Sequence, residues 1–380
     1  MKKIFFDKKF LLWLYIIVAI GIAAQLIIEQ HTINSTSFNN FKIFKNAFGL
    51  LISHQNLYIE HPQFYFDLYK YSPSFAALML PFYYLPDWLG ISVWNLLNTL
   101  VLFFAVYSLQ QIDAKKRALI LLFVLLEMIT SIQNSQSNTL IAGLLIFAFS
   151  LFEKEKIFWA ALCIVLSFYI KIFGAAVFVL FLFYPNKLKF IFYSAFWTIL
   201  IFLMPLFFVS MKDLAWQYQN WLMLLINDQQ ASYGNSMMGL IHAWLHIDVN
   251  KTLTMLVGLL LLIVPFIKTM KENIFQNRIA AFCLILLWMI IFNHRSESPT
   301  FIIASAAVAL WYFSKTEKSV LNLVLLFVVL VFTSVITTDI IPLPNKRYWL
   351  MDMALKVLPC VLVWLKILFD FYLNKKERFR

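Results

Sequence analysis

Long apolar runs separated by short polar connectors dominate this sequence of 380 residues. Many of the runs extend over about 15 to 22 residues, and a helix that spans a bilayer needs roughly 20. Only 13% of the residues are charged, whereas a soluble domain typically has about 25%. The sequence therefore predicts an all-α integral membrane protein. It excludes a cytosolic enzyme and a secreted scaffold, and Cys163, Cys283 and Cys360 are expected to pack as small apolar side chains.

The runs predict about twelve membrane helices in a single domain over residues 1–380. The basic start and the first run resemble a signal peptide. However, that run is longer than a typical signal sequence and no small-residue cleavage motif follows, so we interpret it as an uncleaved first span. The predicted spans are 10–29, 88–110, 118–133, 137–152, 157–169, 172–185, 190–210, 251–269, 279–293, 300–314, 318–337 and 350–372.

Basic residues are concentrated in alternate connectors, which indicates the orientation of the chain, because Lys and Arg favour the cytoplasmic side. With both termini placed in the cytoplasm, the cytoplasmic segments hold 20 of the 31 basic residues and eight of the 19 acidic ones. This difference equals the net charge of +12. The charge is therefore explained as an orientation signal, and nucleic acid is not expected as a partner. Abundant Phe, Ile, Asn and Lys are typical of an AT-rich bacterial genome, so the predicted location is a bacterial plasma (inner) membrane.

Residues 157–185 have basic connectors on both sides, so both ends of this segment lie at the same membrane face. We interpret it as a hairpin of two short helices whose tip is Tyr169-Ile170-Lys171. A re-entrant hairpin is the alternative, and it places Lys171 at nearly the same depth.

The predicted outer connectors carry mixed polar, aromatic and charged clusters, several of which begin or end inside an apolar run. Polar groups at membrane depth are costly and often mark a functional site. Simple solvation of the loops is the alternative. The five segments are residues 30–72, 133–138, 169–171, 211–250 and 293–299.

The first outer loop, residues 30–87, is expected to form part of the site. Within it, residues 41–51 have apolar side chains at helical spacing, which favours a helix on the membrane surface. Residues 73–86 are apolar and bounded by prolines but too short to span, so a second interfacial segment is expected there.

Eight short motifs occur in order between residues 35 and 310, and together they resemble glycosyltransferase family 87, a family of polytopic mannosyltransferase-like enzymes of the GT-C class. Each motif alone is weak, whereas their order and common outer placement are the stronger signal. The motifs are Asn40-Phe41, Gln55-Asn56-Leu57-Tyr58, Tyr71-Ser72-Pro73, Leu85-Pro86, Ser135-Gln136-Ser137-Asn138, Lys171-Ile172-Phe173-Gly174, Asn235-Ser236-Met237-Met238-Gly239 and Ser298-Pro299.

The resemblance implies a GT-C helical bundle that transfers a hexose, often mannose, from a polyprenyl-phosphate sugar to a lipid-linked or surface glycan acceptor at the outer face. Lys171 or Arg295 would hold the donor phosphate, Arg as a bidentate fork and Lys as a point charge. No cofactor or metal ion is expected, since such a donor needs no bridging cation. The other candidate substrate-binding residues are His294, Tyr58, Tyr71, Gln136, Asn138 and Asn235.

The early Asp of the family, its usual candidate base, aligns with Asn40, and a neutral amide cannot accept a proton at neutral pH. Either the base is another outer carboxylate or the chain is a non-catalytic relative. The candidate bases are Glu297, Asp67 and Asp228. Ion pairs with Arg295 and with Lys70 are the structural alternatives for Glu297 and Asp67.

Glu127, a single acid within the third predicted span, is either a buried, protonated acid bonded to a neighbour or a site residue near the outer third of the span. A lipid or solute transporter or flippase is the competing function, and the hairpin at 157–185 is the feature that favours it. Transporters usually bind near the midplane between repeats, and the sequence has no internal repeat.

Overall fold

The computed structural model describes residues 6–32, 36–227, 233–316, 319–338, 345, 348 and 353–373. Within these ranges all regular structure is helical. The helices are α1 (Lys8–Thr32), α2 (Asn39–Ile52), α3 (Pro73–Leu78), α4 (Leu80–Tyr83), α5 (Asp87–Tyr107), α6 (Ala114–Gln133), α7 (Asn138–Glu153), α8 (Ile157–Ile170), α9 (Lys187–Leu203), α10 (Met211–Asn227), α11 (Met237–Leu245), α12 (Lys251–Leu261), α13 (Ile263–Lys271), α14 (Phe275–Ile291), α15 (Phe301–Ser314), α16 (Val320–Val328) and α17 (Leu358–Tyr372). Segments Ile172–Phe183, Met204–Phe207 and Ser298–Thr300 are 3₁₀ helices, and Val329–Val335 is a π-helix.

Helix occurs in every predicted span, which confirms a helical membrane protein. Among the described residues, four helical stretches are long and apolar enough to cross a bilayer: Lys8–Thr32, Asp87–Tyr107, Lys187–Phe207 and Lys251–Lys271. The other apolar helices are shorter. The number of twelve crossings therefore stays a prediction.

The last predicted span, 350–372, begins earlier than its helix. Residues 355–357 form turns, and α17 starts at Leu358 with Pro359 in its first turn. Proline lacks an amide hydrogen and is tolerated where that donor has no helical partner, which is the start of a helix.

The core of the bundle lies between α6, α7, α14 and α15. Every residue of 301–313 is buried, and four of these residues are alanines. Small side chains allow helices in a membrane to approach closely, so dispersion contacts stabilise their packing. By contrast, α9 and α12 expose apolar side chains such as Leu188 and Leu260, as expected of surfaces that face lipid.

The predicted cytoplasmic connectors meet at one end of the bundle. Arg278 Nε lies 2.6 Å from Glu153 Oε1, and Lys116 Nζ donates to the carbonyl oxygen of Lys315 at 3.3 Å. The structure therefore collects on one end the basic segments that the charge pattern assigned to one side.

Helix α2 confirms the amphipathic helix predicted over residues 41–51, but its apolar face is covered by protein. The ring of Phe44 packs 5.4 Å from that of Phe75 and 5.5 Å from that of Trp94. The helix is therefore part of the bundle, because α3 and α5 cover the apolar face that was predicted to lie on the membrane surface.

The segment 157–185 forms two helical pieces that break at Lys171, as predicted. Lys171 has extended backbone torsions and lies outside both pieces. A Cβ at Gly174 would lie 2.5 Å from Ser167 Oγ and 2.9 Å from the Ser167 carbonyl carbon. Only glycine fits this close return of the chain, so Gly174 permits the sharp turn that presents Lys171.

Candidate active site

Opposite the basic end, the predicted outer segments contact one another, and we call this the site end of the bundle. Ser72 Oγ donates to the carbonyl oxygen of Tyr169 at 2.6 Å, and Gln217 Nε2 donates to that of Gln55, also at 2.6 Å. Hydrogen bonds thus join the first loop to the hairpin tip and to α10. Solvation alone does not explain these connections.

Lys171 forms the centre of a polar cluster at the site end. Its Nζ donates to Asn138 Oδ1 at 2.8 Å and to Gln136 Oε1 at 3.4 Å. The rings of Tyr71 and Phe173 lie with their centroids 5.9 and 5.8 Å from Nζ. In the described ranges no carboxylate lies within 4 Å of this ammonium group. A partly buried cation held only by neutral oxygens and π faces is suited to binding an anion.

Glu297 is close enough to this cluster for its charge to act on Lys171 and Tyr71. Burial lowers the pKa of Lys171 to about 8, and the negative charge of Glu297 acts in the opposite direction. Burial raises the pKa of Tyr71 well above its usual range, and the charges of Glu297 and Asp67 raise it further. The phenol therefore stays protonated, and both carboxylates lie near it.

Glu297 is exposed at the mouth of the site, on the segment that connects α14 to α15. Its backbone N–H donates to Thr300 Oγ1 at 3.4 Å. The preceding residue, Ser296, donates through Oγ to the carbonyl oxygen of Ile290 at 2.7 Å. These bonds anchor the backbone on both sides of the carboxylate, which stays accessible to a substrate.

The segment 233–239 packs against the same connector. Gly234 has φ +54°, and a Cβ there would lie 2.6 Å from the carbonyl oxygen of His294. Asn235 N donates to the carbonyl oxygen of Ser296 at 3.0 Å. The side chain of Asn235 is buried, and its Oδ1 has no hydrogen-bond partner within the described ranges. His294 and Arg295, on the connector itself, are partly buried.

The other candidate carboxylates differ in position. Asp67 is exposed and forms the ion pair with Lys70, at 3.3 Å, that was the structural alternative for it. Asn39 holds the preceding residue, since its side chain exchanges hydrogen bonds of 2.8 and 2.9 Å with the backbone of Phe66. Asp228 lies outside the described residues.

Several predicted sugar-binding groups have internal partners. Tyr58 is buried, and its hydroxyl donates to the carbonyl oxygen of Tyr71 at 3.0 Å. Asn138 and Gln136 are also buried and accept from Lys171. In this state these side chains therefore shape and orient the cationic cluster.

Asn40 lies at the site and uses its amide as a donor. Its Nδ2 donates to the carbonyl oxygen of Asn134 at 2.9 Å, which ties the start of α2 to the turn before Gln136. An ionised aspartate has no hydrogen to donate. The asparagine is thus suited to a structural contact that the aligned family aspartate could not make.

Other residues that shape the site were not identified from the sequence. Trp94 Nε1 donates to the carbonyl oxygen of Ser135 at 3.1 Å, and Ser72 and Asn39 bond to backbone as described above. Lys356 is buried beside Glu127. Ser72 belongs to the Tyr71-Ser72-Pro73 motif, and Lys356 had an indirect signal, because a lone acid in an apolar span requires a partner.

An apolar groove adjoins the polar cluster. It has a volume of about 270 Å³, opens on one side, and is lined by residues of α3, α4, α5, α7 and α8. Ile170 and Leu140 lie in its wall, one residue before Lys171 and two residues after Asn138 respectively. Phe75 also lines the groove, and its ring centroid lies 5.4 Å from that of Tyr71, so the groove borders the polar cluster.

Together these features define a polytopic helical membrane protein whose cationic site adjoins an apolar groove, an arrangement that suits an amphiphilic anion. In the part of the chain that the structure describes, no three His, Cys, Asp or Glu side chains are grouped as a metal site would need.

The chain belongs to glycosyltransferase family 87, whose family model matches residues 69–315, more than half of its length. This confirms the family inferred from the motifs, and the protein is a glycosyltransferase by family. A comparison with curated proteins finds no match. Lys171 and Glu297 lie inside the matched range, whereas Asn40, Tyr58 and Asp67 precede it.

Replacing Asn40 with Asp is expected to lower glycosyl transfer roughly tenfold or more, because a carboxylate facing the Asn134 carbonyl loses a hydrogen bond and adds repulsion, about 1–3 kcal/mol. Transfer rate per folded protein measures this effect. Asn40→Ala is the matched control, since it removes the bond without adding charge and should lose less. A gain of transfer in Asn40→Asp would show instead that a carboxylate at position 40 acts as the base.

Proposed function

We propose that the protein transfers a hexose, mannose-like, from a polyprenyl-phosphate sugar to a lipid-linked or surface glycan acceptor. The reaction takes place at the outer face of a bacterial plasma membrane, with both termini in the cytoplasm. The observation that carries this proposal is the position of Lys171, a cation without a carboxylate partner in the described ranges, in a polar cluster that borders an apolar groove.

The donor has two chemically different parts that match these two surfaces. Its phosphate binds the Lys171 ammonium, and its isoprenoid tail lies in the groove whose wall includes Ile170, Leu140 and Leu144. Burial of apolar chain contributes about 0.8 kcal/mol per CH₂ group, while the charge contact fixes the reacting end. The sugar then projects from the groove toward Glu297.

In the transfer step an acceptor hydroxyl attacks the anomeric carbon of the sugar. The new glycosidic C–O bond forms as the bond from the anomeric carbon to the phosphate oxygen breaks. Glu297 takes the hydroxyl proton as general base, and Lys171 stabilises the negative charge that develops on the departing polyprenyl phosphate. No metal ion is required, because the Lys171 ammonium already lies where it can neutralise the charge of the departing phosphate.

The sugar hydroxyls have hydrogen-bonding groups near the cluster. Tyr71 stays protonated, and its hydroxyl donates to Gln136 Oε1 at 3.4 Å. The buried carboxamide of Asn235 lies on the segment that bonds to the Glu297 connector. Arg295 and His294 are placed on that connector and suit an anionic or polar group of the acceptor.

Membrane vesicles that contain the purified protein and a labelled polyprenyl-phosphate hexose test this function. The expected result is transfer of label to an extractable glycolipid or surface glycan, dependent on donor. Absence of transfer with all common hexose donors, together with movement of the labelled lipid between leaflets, would show that the protein is a flippase and that the proposed reaction is wrong. Donor binding without either event would identify a non-catalytic relative.

Filling the groove is expected to weaken binding of long-chain donors. In Leu144→Trp the indole occupies space needed by the tail, so KM for a long-chain donor should rise about tenfold, equivalent to 1.4 kcal/mol, with little change for a short-chain analogue. Leu188→Trp is the matched control, because Leu188 is 82% exposed on α9. Equal KM values for both donors in Leu144→Trp would contradict a tail in this groove.

A further inference from the structure

A buried ion pair lies directly beneath the connector that carries Glu297. Lys356 Nζ is 3.1 Å from Glu127 Oε1 and 3.3 Å from Oε2, and both side chains are almost completely buried. A buried pair of this kind often contributes little net stability, because desolvation of the two charges offsets their attraction. Its presence therefore calls for a role other than stability.

The same ammonium group holds Ser298. Lys356 Nζ donates to Ser298 Oγ at 2.8 Å and to the Ser298 carbonyl oxygen at 3.2 Å. An ammonium has three hydrogens, and the contacts with Glu127 and with the two Ser298 oxygens use all of them. Ser298 directly follows Glu297, so the ion pair is one residue away from the candidate base.

Lys356 is itself fixed. Thr333 Oγ1 donates to the carbonyl oxygen of Lys356 at 3.0 Å, and the ring of Phe301 lies with its centroid 5.1 Å from Nζ. The backbone and the charged end of Lys356 are both held, so Ser298 cannot shift without breaking bonds to a buried charge. Loss of such bonds costs about 1.5–3 kcal/mol each.

We propose that Lys356 and Glu127 are positioning residues that fix Ser298 and thereby aim the Glu297 carboxylate at the acceptor hydroxyl. Glu127 orients the lysine, and the lysine orients the connector. This role rests on the proposed function of Glu297 as base. Lys356 lies beyond residues 69–315, so the family match does not include it.

A double-mutant cycle tests whether the pair acts through Glu297. Glu127→Leu with Lys356→Met removes both charges together, which avoids leaving one buried charge unpaired. Because small misplacements of a reacting group can cost about 10²-fold, kcat per folded protein should fall roughly 10- to 100-fold, with donor KM unchanged. In a Glu297→Gln background the same pair of substitutions should have no further effect on residual transfer.

Neutralising the Glu153 and Arg278 pair at the basic end, with Glu153→Leu and Arg278→Met, is the matched control and should leave kcat per folded protein unchanged. If the Glu127 and Lys356 substitutions lower transfer by the same factor with and without Glu297, the pair supports the fold only and the positioning role is wrong.

A second measurement does not depend on turnover. Glu297→Cys in a Cys163→Ser background places a thiol on the connector, while Cys283 and Cys360 are buried. Neutralising the ion pair should change the rate of maleimide labelling several-fold. An unchanged rate would overturn the proposal. A changed labelling rate, together with no sugar transfer by the protein that keeps Glu297, would disprove the proposed function while leaving the connector positioned by Lys356.

Discussion

Replacing Glu297 with Gln is expected to reduce glycosyl transfer by roughly 10²–10⁴-fold, the usual contribution of a positioned general base. The amide is nearly the same size as the carboxylate but cannot take the proton of the acceptor hydroxyl. Glu297 is exposed at the site mouth, and the amide oxygen of Gln can replace the carboxylate oxygen in the capping-box contact with the Thr300 backbone. Expression and donor affinity should therefore stay close to those of the unmodified protein, and the loss should appear in kcat.

Asp67→Asn is the matched control for this substitution. Asp67 is also an exposed carboxylate near Tyr71, but it is paired with Lys70. Initial rates with a saturating labelled donor compare the two variants. Full activity of Glu297→Gln together with a large loss in Asp67→Asn would identify Asp67 as the base. Full activity in both would show that neither carboxylate accepts the proton.

Replacing Lys171 with Met is expected to lower kcat/KM by roughly 10²–10³-fold, since a desolvated charge contact with an anion is worth about 2–5 kcal/mol. Methionine keeps the length and apolar stem of lysine but has no charge. Lys70→Met is the matched control, because Lys70 directly precedes Tyr71 in the chain but is paired with Asp67. Donor affinity, measured by binding of labelled polyprenyl phosphate, should fall in Lys171→Met alone. Equal affinity in both variants would contradict the phosphate contact.

The pH profile provides an independent check on Lys171. Its pKa is lowered to about 8 from an ordinary value of 10.5, so the ammonium is present below pH 8 and is lost as the pH rises through that value. If the charged form binds the phosphate, kcat/KM should fall about tenfold per pH unit above pH 8. In Lys171→Arg this decline should disappear, because a guanidinium stays charged. A decline that persists unchanged in Lys171→Arg would belong to another group.

The helical bundle and the chain break at Lys171 followed from local patterns. Apolar runs can satisfy their backbone only as helices in a bilayer, and the short hairpin needed a turn near residue 171. The amphipathic helix over residues 41–51 was likewise predicted by its period. Its partner was not, because periodicity identifies an apolar face but does not say whether lipid or protein covers it.

The candidate site was predicted as a set of outer segments and then changed in detail. The roles of Lys171, Glu297 and Tyr58 stay predictions, but the structure adds that the Tyr58 hydroxyl donates to the carbonyl oxygen of Tyr71. A sequence pattern shows that a side chain can donate a hydrogen bond, whereas its partner depends on the folded arrangement.

The sequence by itself determined the class of protein, the grouping of its basic connectors at one end and the family, since these depend on composition and on order along the chain. Tertiary structure alone decided which polar groups meet. Glu127 and Lys356 are 229 residues apart, and no local pattern pairs them. Their contact beneath Ser298 depends on how α6, α15 and the residues before α17 pack, because a buried charge selects its partner by proximity in the folded chain.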